Sequence, residues 1–233
     1  MKRPAPAQEG SSAVVRWPPF LALYVVLTVW IFSGRELVPE AVFTGVKNGG
    51  YVIVMLLGVW VFRTSFARSW RTTKDRPLLA LGMVAVGLVL MGVASVISQA
   101  ALLVAGDTAM GGNQAAISAE VLTAATSFLG ALLFVGLGGV VAPIVEELVF
   151  RELPLGQPRR ALSTWVAASV SCLAFAAVHV RGLDEWPLMI LYAGYAAALS
   201  TAFLLSGRNL LVCILAHVLW NGVGLVFLIA IAR

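Results

Sequence analysis

Long runs of apolar residues dominate the amino-acid sequence. They are continuous, without the alternation of apolar and polar residues that marks a membrane β-strand, and most approach the roughly 20 residues that a helix needs to cross a bilayer. The pattern therefore predicts an all-α fold, a polytopic transmembrane helix bundle of about seven spans. The expected spans are approximately 18–33, 43–62, 78–99, 121–142, 162–180, 187–205 and 210–231.

Three segments of different character set the predicted domain organisation. Residues 1–16 combine proline, serine and charged residues and are expected to be a disordered cytoplasmic N-terminus. Residues 17–120 are expected to form N-terminal transmembrane helices, and they contain no recognisable motif. Residues 121–231 are expected to form a four-helix core, which contains all of the polar candidate residues considered below.

Composition supports a location in the membrane. Hydrophobic residues make up 60% of the chain and charged residues 12%, whereas a soluble domain has about 25% charged residues. The net charge of +5 does not indicate a nucleic-acid partner, because most Lys and Arg residues fall in segments that face the cytoplasm if the N-terminus does. We therefore predict a multi-pass protein of the cell membrane, with the lipid bilayer as a partner, the N-terminus cytoplasmic and the C-terminus outside.

An acidic pair, Glu146 and Glu147, interrupts the apolar pattern of the sequence. Ionisable groups at membrane depth are costly, and they are therefore functional candidates. Glu147 and Arg151 are four residues apart, acid first, which favours an ion pair on a helix. Glu146 projects about 100° away and lacks such a partner, so it is free to face a cavity as a general base. Alternatively, all three side chains form one buried polar cluster that holds helices together. Glu152, which follows Arg151, is expected to be a solvated side chain.

Both histidines of the chain also lie in apolar surroundings. His217 and Asn221 are four residues apart, so that on a helix both could donate hydrogen bonds towards one point, as an oxyanion requires. Phe175 precedes His179 by one turn and could pack beside its imidazole. A single histidine within a membrane is often only a hydrogen-bond partner between helices, and that alternative stays open for each of them.

Together these motifs resemble the CPBP family of CAAX proteases and bacteriocin-processing enzymes, also called Abi or type II CAAX prenyl endopeptidase-like proteins. The motifs are Glu146-Glu147-x-x-x-Arg151, Phe175-x-x-x-His179 and His217-x-x-x-Asn221. The resemblance covers about residues 121–231. One departure from the family pattern is Glu152, where many members have glycine after the arginine.

The resemblance implies an intramembrane endopeptidase of the glutamate type. Glu146 and His179 would hold and activate a water, and His217 and Asn221 would stabilise the oxyanion. Structural support of the site would come from Glu147, Arg151 and Phe175. The implied substrate is a peptide or membrane protein, either prenylated at a CAAX-type terminus or otherwise associated with the membrane.

Three alternatives accompany this interpretation. A zinc-dependent protease would use Glu146, His179 and His217 as ligands. We expect no cofactor, because the sequence has no HExxH motif and Asn221 suits an oxyanion hole better than a coordination sphere. A non-catalytic immunity or regulatory protein of the same fold is the second alternative. A proton-coupled transporter is the third, but it leaves the pairing of His217 with Asn221 unexplained.

Overall fold

The computed structural model describes residues 17–105, 112–156, 163–182 and 185–232. Over these ranges the chain forms nine helices and no strand, which confirms the all-helical prediction. The helices are α1 Trp17–Ser33, α2 Glu40–Val61, α3 Arg63–Asp75, α4 Pro77–Ala105, α5 Gly112–Ala124, α6 Phe128–Gly156, α7 Thr164–Ala177, α8 Trp186–Leu205 and α9 Leu210–Ala232. The segment 1–16, predicted to be disordered, lies outside the described residues.

Five of the described helices are long and apolar enough to cross a membrane, namely α2, α4, α6, α8 and α9. The chain is therefore a multi-pass membrane protein. The predicted count of about seven spans is not confirmed, because two of the expected spans form shorter helices. Helix α1 has 17 residues, and α7 has 14. At 1.5 Å per residue, α7 is about 21 Å long, against a hydrocarbon core of about 30 Å.

The predicted span 121–142 is wrong in both of its ends. The chain leaves helix α5 at Ala124 and starts α6 at Phe128, where the Ser127 hydroxyl accepts a hydrogen bond from Gly130 N at 3.0 Å. Helix α6 then continues to Gly156. It passes Pro154 within a wide, π-helical segment, where an ordinary α-turn would clash with the proline ring. Hydrophobicity alone therefore placed the helix too early in the chain.

Helix α3 is polar and has no counterpart among the apolar runs. Ser65 and Ser69 are buried on one side of it. The Ser65 hydroxyl donates to Glu152 Oε1 at 2.5 Å, and Arg68 Nη2 lies 3.3 Å from the same oxygen. Glu152, predicted to be solvated, is thus fully buried, because α3 covers it and supplies both partners. The expectation of a solvated side chain at this position was wrong.

The contacts divide the chain into two compact units, which meet in sequence between Arg63 and Thr64. In the first unit, α1 packs on α2 through aromatic side chains, with Trp30 stacked on Phe43. In the second unit, α8 packs against α4 and α7, while α9 packs against α4 and α6. The predicted domain boundary between residues 120 and 121 was drawn where the motif-bearing part of the sequence begins. These contacts do not test it, and it remains a prediction.

Close approach of two glycines brings α6 against α9. The first of two π-helical segments in α6 runs from Leu137 to Val141 and contains Gly139. A Cβ atom on Gly139 would lie 3.0 Å from Gly222 Cα, which is closer than ordinary van der Waals contact. Because the obstacle is backbone rather than a flexible side chain, the helices must separate to admit a methyl group there. The two glycines therefore set the spacing between α6 and α9 near Asn221.

Replacing Gly139 by alanine is expected to destabilise the protein by about 1–3 kcal/mol, the usual cost of overpacking. Gly136→Ala is the matched control, because it lies in the same helix and a Cβ there meets nothing within 4 Å. We expect Gly136→Ala to leave the thermal midpoint in detergent unchanged or slightly raised. Equal midpoints for the two variants would contradict the inferred close contact.

Candidate active site

Two π-helical segments enclose the short stretch of α6 that carries the acidic pair. Residues 142–147 form regular helix between the segment Leu137–Val141 and the segment Leu148–Gly156. Each widened turn changes the direction in which later side chains project, and such turns are frequent at functional sites. Glu146, Glu147 and Arg151 are all buried. The helix thus directs three ionisable side chains into the protein interior, away from lipid and water.

The predicted ion pair between Glu147 and Arg151 is present. Arg151 Nε lies 3.3 Å from Glu147 Oε2, and both side chains are fully buried. Arg151 also donates to the carbonyl oxygen of Ala196 on α8 at 3.2 Å. Its guanidinium carbon lies 4.9 Å from the centre of the Phe175 ring. Arg151 therefore joins α6 to α7 and α8 while it balances the charge of Glu147.

Glu147 has a second partner that the sequence did not reveal. Its Oε1 lies 2.8 Å from His217 Nδ1 on α9. Because Arg151 keeps the carboxyl group ionised by pairing with it, the carboxylate accepts and the imidazole donates. Glu147 therefore fixes the orientation of His217 and places its hydrogen on Nδ1. This contact spans 70 positions in the sequence, so helical spacing carries no sign of it.

His179 is oriented by a different set of contacts. Its Nδ1 lies 2.7 Å from the carbonyl oxygen of Phe175, which can only accept, so Nδ1 carries the hydrogen. The imidazole is stacked between two rings, with centroid distances of 4.4 Å to Phe175 and 4.5 Å to Tyr192. Phe175 matches the expected contact, whereas Tyr192 on α8 was missed. The apolar helix α8 contains two tyrosines, Tyr192 and Tyr195, and the sequence gives no signal that one of them takes this role.

Glu146 and the two histidines face one small space. Glu146 Oε2 lies 3.9 Å from His179 Nε2 and 3.7 Å from His217 Nε2. These separations exceed a hydrogen bond, and within the described part of the chain Glu146 Oε2 has no hydrogen-bond partner. Because Nδ1 of each ring is already engaged, Nε2 is the nitrogen that each imidazole presents to this space. Glu146 Oε2 can accept a hydrogen bond there from a reactant such as water.

Asn221 lies one turn beyond His217 on α9 and is partly buried. Its side chain makes no hydrogen bond with any residue in the described ranges. The structure thus brings together Glu146, Glu147, Arg151, Phe175, His179 and His217, and it places Asn221 on the adjoining turn. Which of them takes part in chemistry remains a prediction.

The fit of the proposed zinc ligands can be judged from the same side chains. Among the described residues, no group of three or more His, Cys, Asp and Glu side chains is arranged to hold a metal ion. We therefore derive no chemical step through zinc from the residues of this site.

Comparison with known proteins shows what the site-bearing segment is similar to. Residues 127–223 match the family described as type II CAAX prenyl endopeptidase Rce1-like. The matched segment includes all seven predicted site residues, from Glu146 to Asn221, which confirms the resemblance found in the motifs. The chain matches no curated protein and no solved structure.

The two carboxylates are expected to differ in their effect on stability. Glu147→Ala leaves Arg151 buried without its charge partner, and such a change typically costs about 3–5 kcal/mol. Glu146→Ala is the matched control, because it removes a carboxylate at the adjacent position that has no hydrogen bond at Oε2. Thermal unfolding of both variants in detergent measures the difference. A stable Glu147→Ala beside a misfolded Glu146→Ala would mean that the roles of the two residues are reversed.

Proposed function

We propose that this chain, with its Rce1-like segment at residues 127–223, is an intramembrane endopeptidase. The observation that carries the proposal is the convergence of Glu146, His179 and His217: Glu146 Oε2 lies 3.9 Å from His179 Nε2 and 3.7 Å from His217 Nε2. Glu146 Oε2 and His179 Nε2 can each accept a hydrogen bond, and together they form a place where a water molecule can be bound and deprotonated.

In the proposed reaction, a water molecule donates its hydrogens to Glu146 and to His179 Nε2. Its oxygen attacks the carbonyl carbon of the scissile peptide bond, and one proton passes to the Glu146 carboxylate. The tetrahedral intermediate then collapses as that proton is delivered to the leaving amine. His179 can accept through Nε2 because Phe175 and Tyr192 hold the ring in place and its Nδ1 hydrogen is engaged.

His217 and Asn221 are proposed to stabilise the oxyanion. His217 donates through Nε2 when both of its ring nitrogens carry hydrogen, and the Glu147 carboxylate at Nδ1 compensates the resulting positive charge. Asn221 supplies a second donor from the next turn of α9, where its amide is free of other hydrogen bonds in the described chain. Donors that are fixed before the reaction stabilise the developing charge without reorganisation.

The proposed substrate is a membrane-associated peptide, including prenylated CAAX-type C-termini. The Rce1-like match supports this class, and the burial of the site among apolar helices favours a substrate that already lies at the membrane. In the orientation expected from the positive-inside rule, the end of α6 at Gly156 would lie on the cytoplasmic side, and the substrate would enter from there. A non-catalytic regulator of the same fold is the alternative that the following test can favour.

Cleavage is tested with the full chain in detergent and a peptide library that includes prenylated and unprenylated CAAX sequences. We expect mass spectrometry to find products from the wild type and none from Glu146→Ala. The matched control is Glu36→Ala, which removes an exposed carboxylate outside the candidate site and should cleave normally. Equal cleavage by the wild type and Glu146→Ala would rule out the proposed base. Loss of cleavage on adding a chelator, with recovery on adding zinc, would favour the metal-dependent alternative.

The proposed oxyanion role predicts a specific kinetic signature for Asn221→Ala. Removing one such donor typically lowers kcat by about 10²–10³. KM should change little, because the interaction forms in the transition state rather than in the bound substrate. Steady-state cleavage of the best library peptide gives both constants. A variant that raises KM at unchanged kcat would instead assign Asn221 to substrate binding.

A further inference from the structure

Helix α3 is fixed to the ends of two helices that carry the candidate site. Ser69 Oγ accepts a hydrogen bond from Leu210 N at the start of α9, at 2.9 Å. One turn later, Thr73 Oγ1 accepts from Asn209 Nδ2 at 2.9 Å. At its other end, α3 holds Glu152 of α6 through Ser65 and Arg68. The inner side of α3 is therefore an array of small hydroxyl side chains with assigned partners.

The opposite side of α3 is cationic and exposed. Arg71 and Lys74 are exposed, and Trp70 beside them is 59% exposed. On a helix these three residues project roughly 100–200° away from the direction of Ser65 and Ser69. Arg68 at the edge has 49% of its side chain exposed, and Arg76 follows the last turn. We define the basic face of α3 as Arg68, Trp70, Arg71, Lys74 and Arg76.

The chemistry of this face fits a membrane surface that bears negative charge. From residue 64 to residue 76 the only acidic side chain is Asp75, against four cations. A polar helix with Lys and Arg on its outer face and an exposed tryptophan beside them is typical of helices at a bilayer interface. Tryptophan rings favour the headgroup region of the bilayer. If both α1 and α2 cross the bilayer, as the sequence predicts, the predicted orientation puts α3 at the cytoplasmic leaflet, where anionic lipids attract basic segments.

We propose that the basic face of α3 binds the headgroups of anionic phospholipids. The inner contacts hold the helix against the protein, so that Arg71 and Lys74 project from its opposite, exposed side. Arg68 lies where the two sides meet and also contacts Glu152. This inference rests on α3 alone and does not depend on the proposed protease activity.

Native mass spectrometry of the full chain in a neutral detergent provides the test. The protein is titrated with phosphatidylglycerol and, separately, with phosphatidylcholine of the same acyl chains. We expect preferential retention of phosphatidylglycerol, which is anionic. In the variant Arg71→Gln/Lys74→Gln, binding should weaken by about fivefold per charge, and so roughly 25-fold in all.

The matched control, Lys47→Gln/Arg181→Gln, also removes two positive charges but none from the basic face. It should retain phosphatidylglycerol as the wild type does. Millimolar inorganic phosphate should fail to displace the lipid, which distinguishes a membrane surface from a site for free phosphate. Raising the salt concentration should weaken binding, because exposed charges are screened.

Two outcomes would overturn the proposal. One is equal retention of the two lipids by the wild type. The other is equal loss of phosphatidylglycerol in the basic-face variant and the control, which would assign the effect to net charge alone. Far-UV circular dichroism and size-exclusion chromatography establish that each variant remains folded, so a loss of lipid in a folded basic-face variant is attributable to the missing side chains.

Discussion

The buried carboxylate of Glu147 is the interaction on which the rest of the candidate site depends. It pairs with Arg151 on its own helix and accepts a hydrogen bond from His217 on α9. An isolated charge in such surroundings would be prohibitively costly, so the arginine and the imidazole are needed to retain it. Arg151 in turn reaches the backbone of α8. Directly or through Arg151, the Glu147 carboxylate therefore links α6, α8 and α9.

The two adjacent glutamates have opposite surroundings for a simple geometric reason. Neighbouring residues on a helix project about 100° apart, so Glu147 reaches its fixed partners while Glu146 faces the histidines. The histidines are likewise held through Nδ1, one by a carboxylate and the other by a backbone carbonyl. Each ring therefore presents Nε2 to the same space. The tautomers follow from these partners, as occurs when a second interaction orients a reactive imidazole.

Local spacing predicted the parts of the structure that depend on a single helix. The pair Glu147 and Arg151 and the packing of Phe175 on His179 both follow from a separation of four residues. The ends of α8 and α9 agree closely with the predicted spans 187–205 and 210–231. The resemblance to the family also came from motifs of this kind, and it was confirmed over residues 127–223.

Features that depend on contacts between distant segments were not predictable in the same way. The bond from His217 to Glu147 and the stacking of Tyr192 on His179 join different helices. Glu152 was misjudged because its partners, Ser65 and Arg68, lie more than 80 positions earlier in the sequence. Helix α3 was not predicted from the apolar runs, because its buried side chains, Ser65 and Ser69, are polar. Periodicity describes one helix at a time, whereas these contacts arise from the assembly of several.

The π-helical segment Leu137–Val141 makes the number of residues in α6 as important as their identity. It contains Gly139, at the close contact with α9, and precedes the carboxylate of Glu146. This segment takes up one residue more per turn than regular helix does. If the same residues formed regular helix, every later side chain would turn by about 100°. Hydrophobicity and charge would be unchanged, yet Glu146 and Glu147 would both lose their present surroundings. The directions of the site side chains on α6 thus depend partly on the number of residues in each turn, a property that comparisons based on composition overlook.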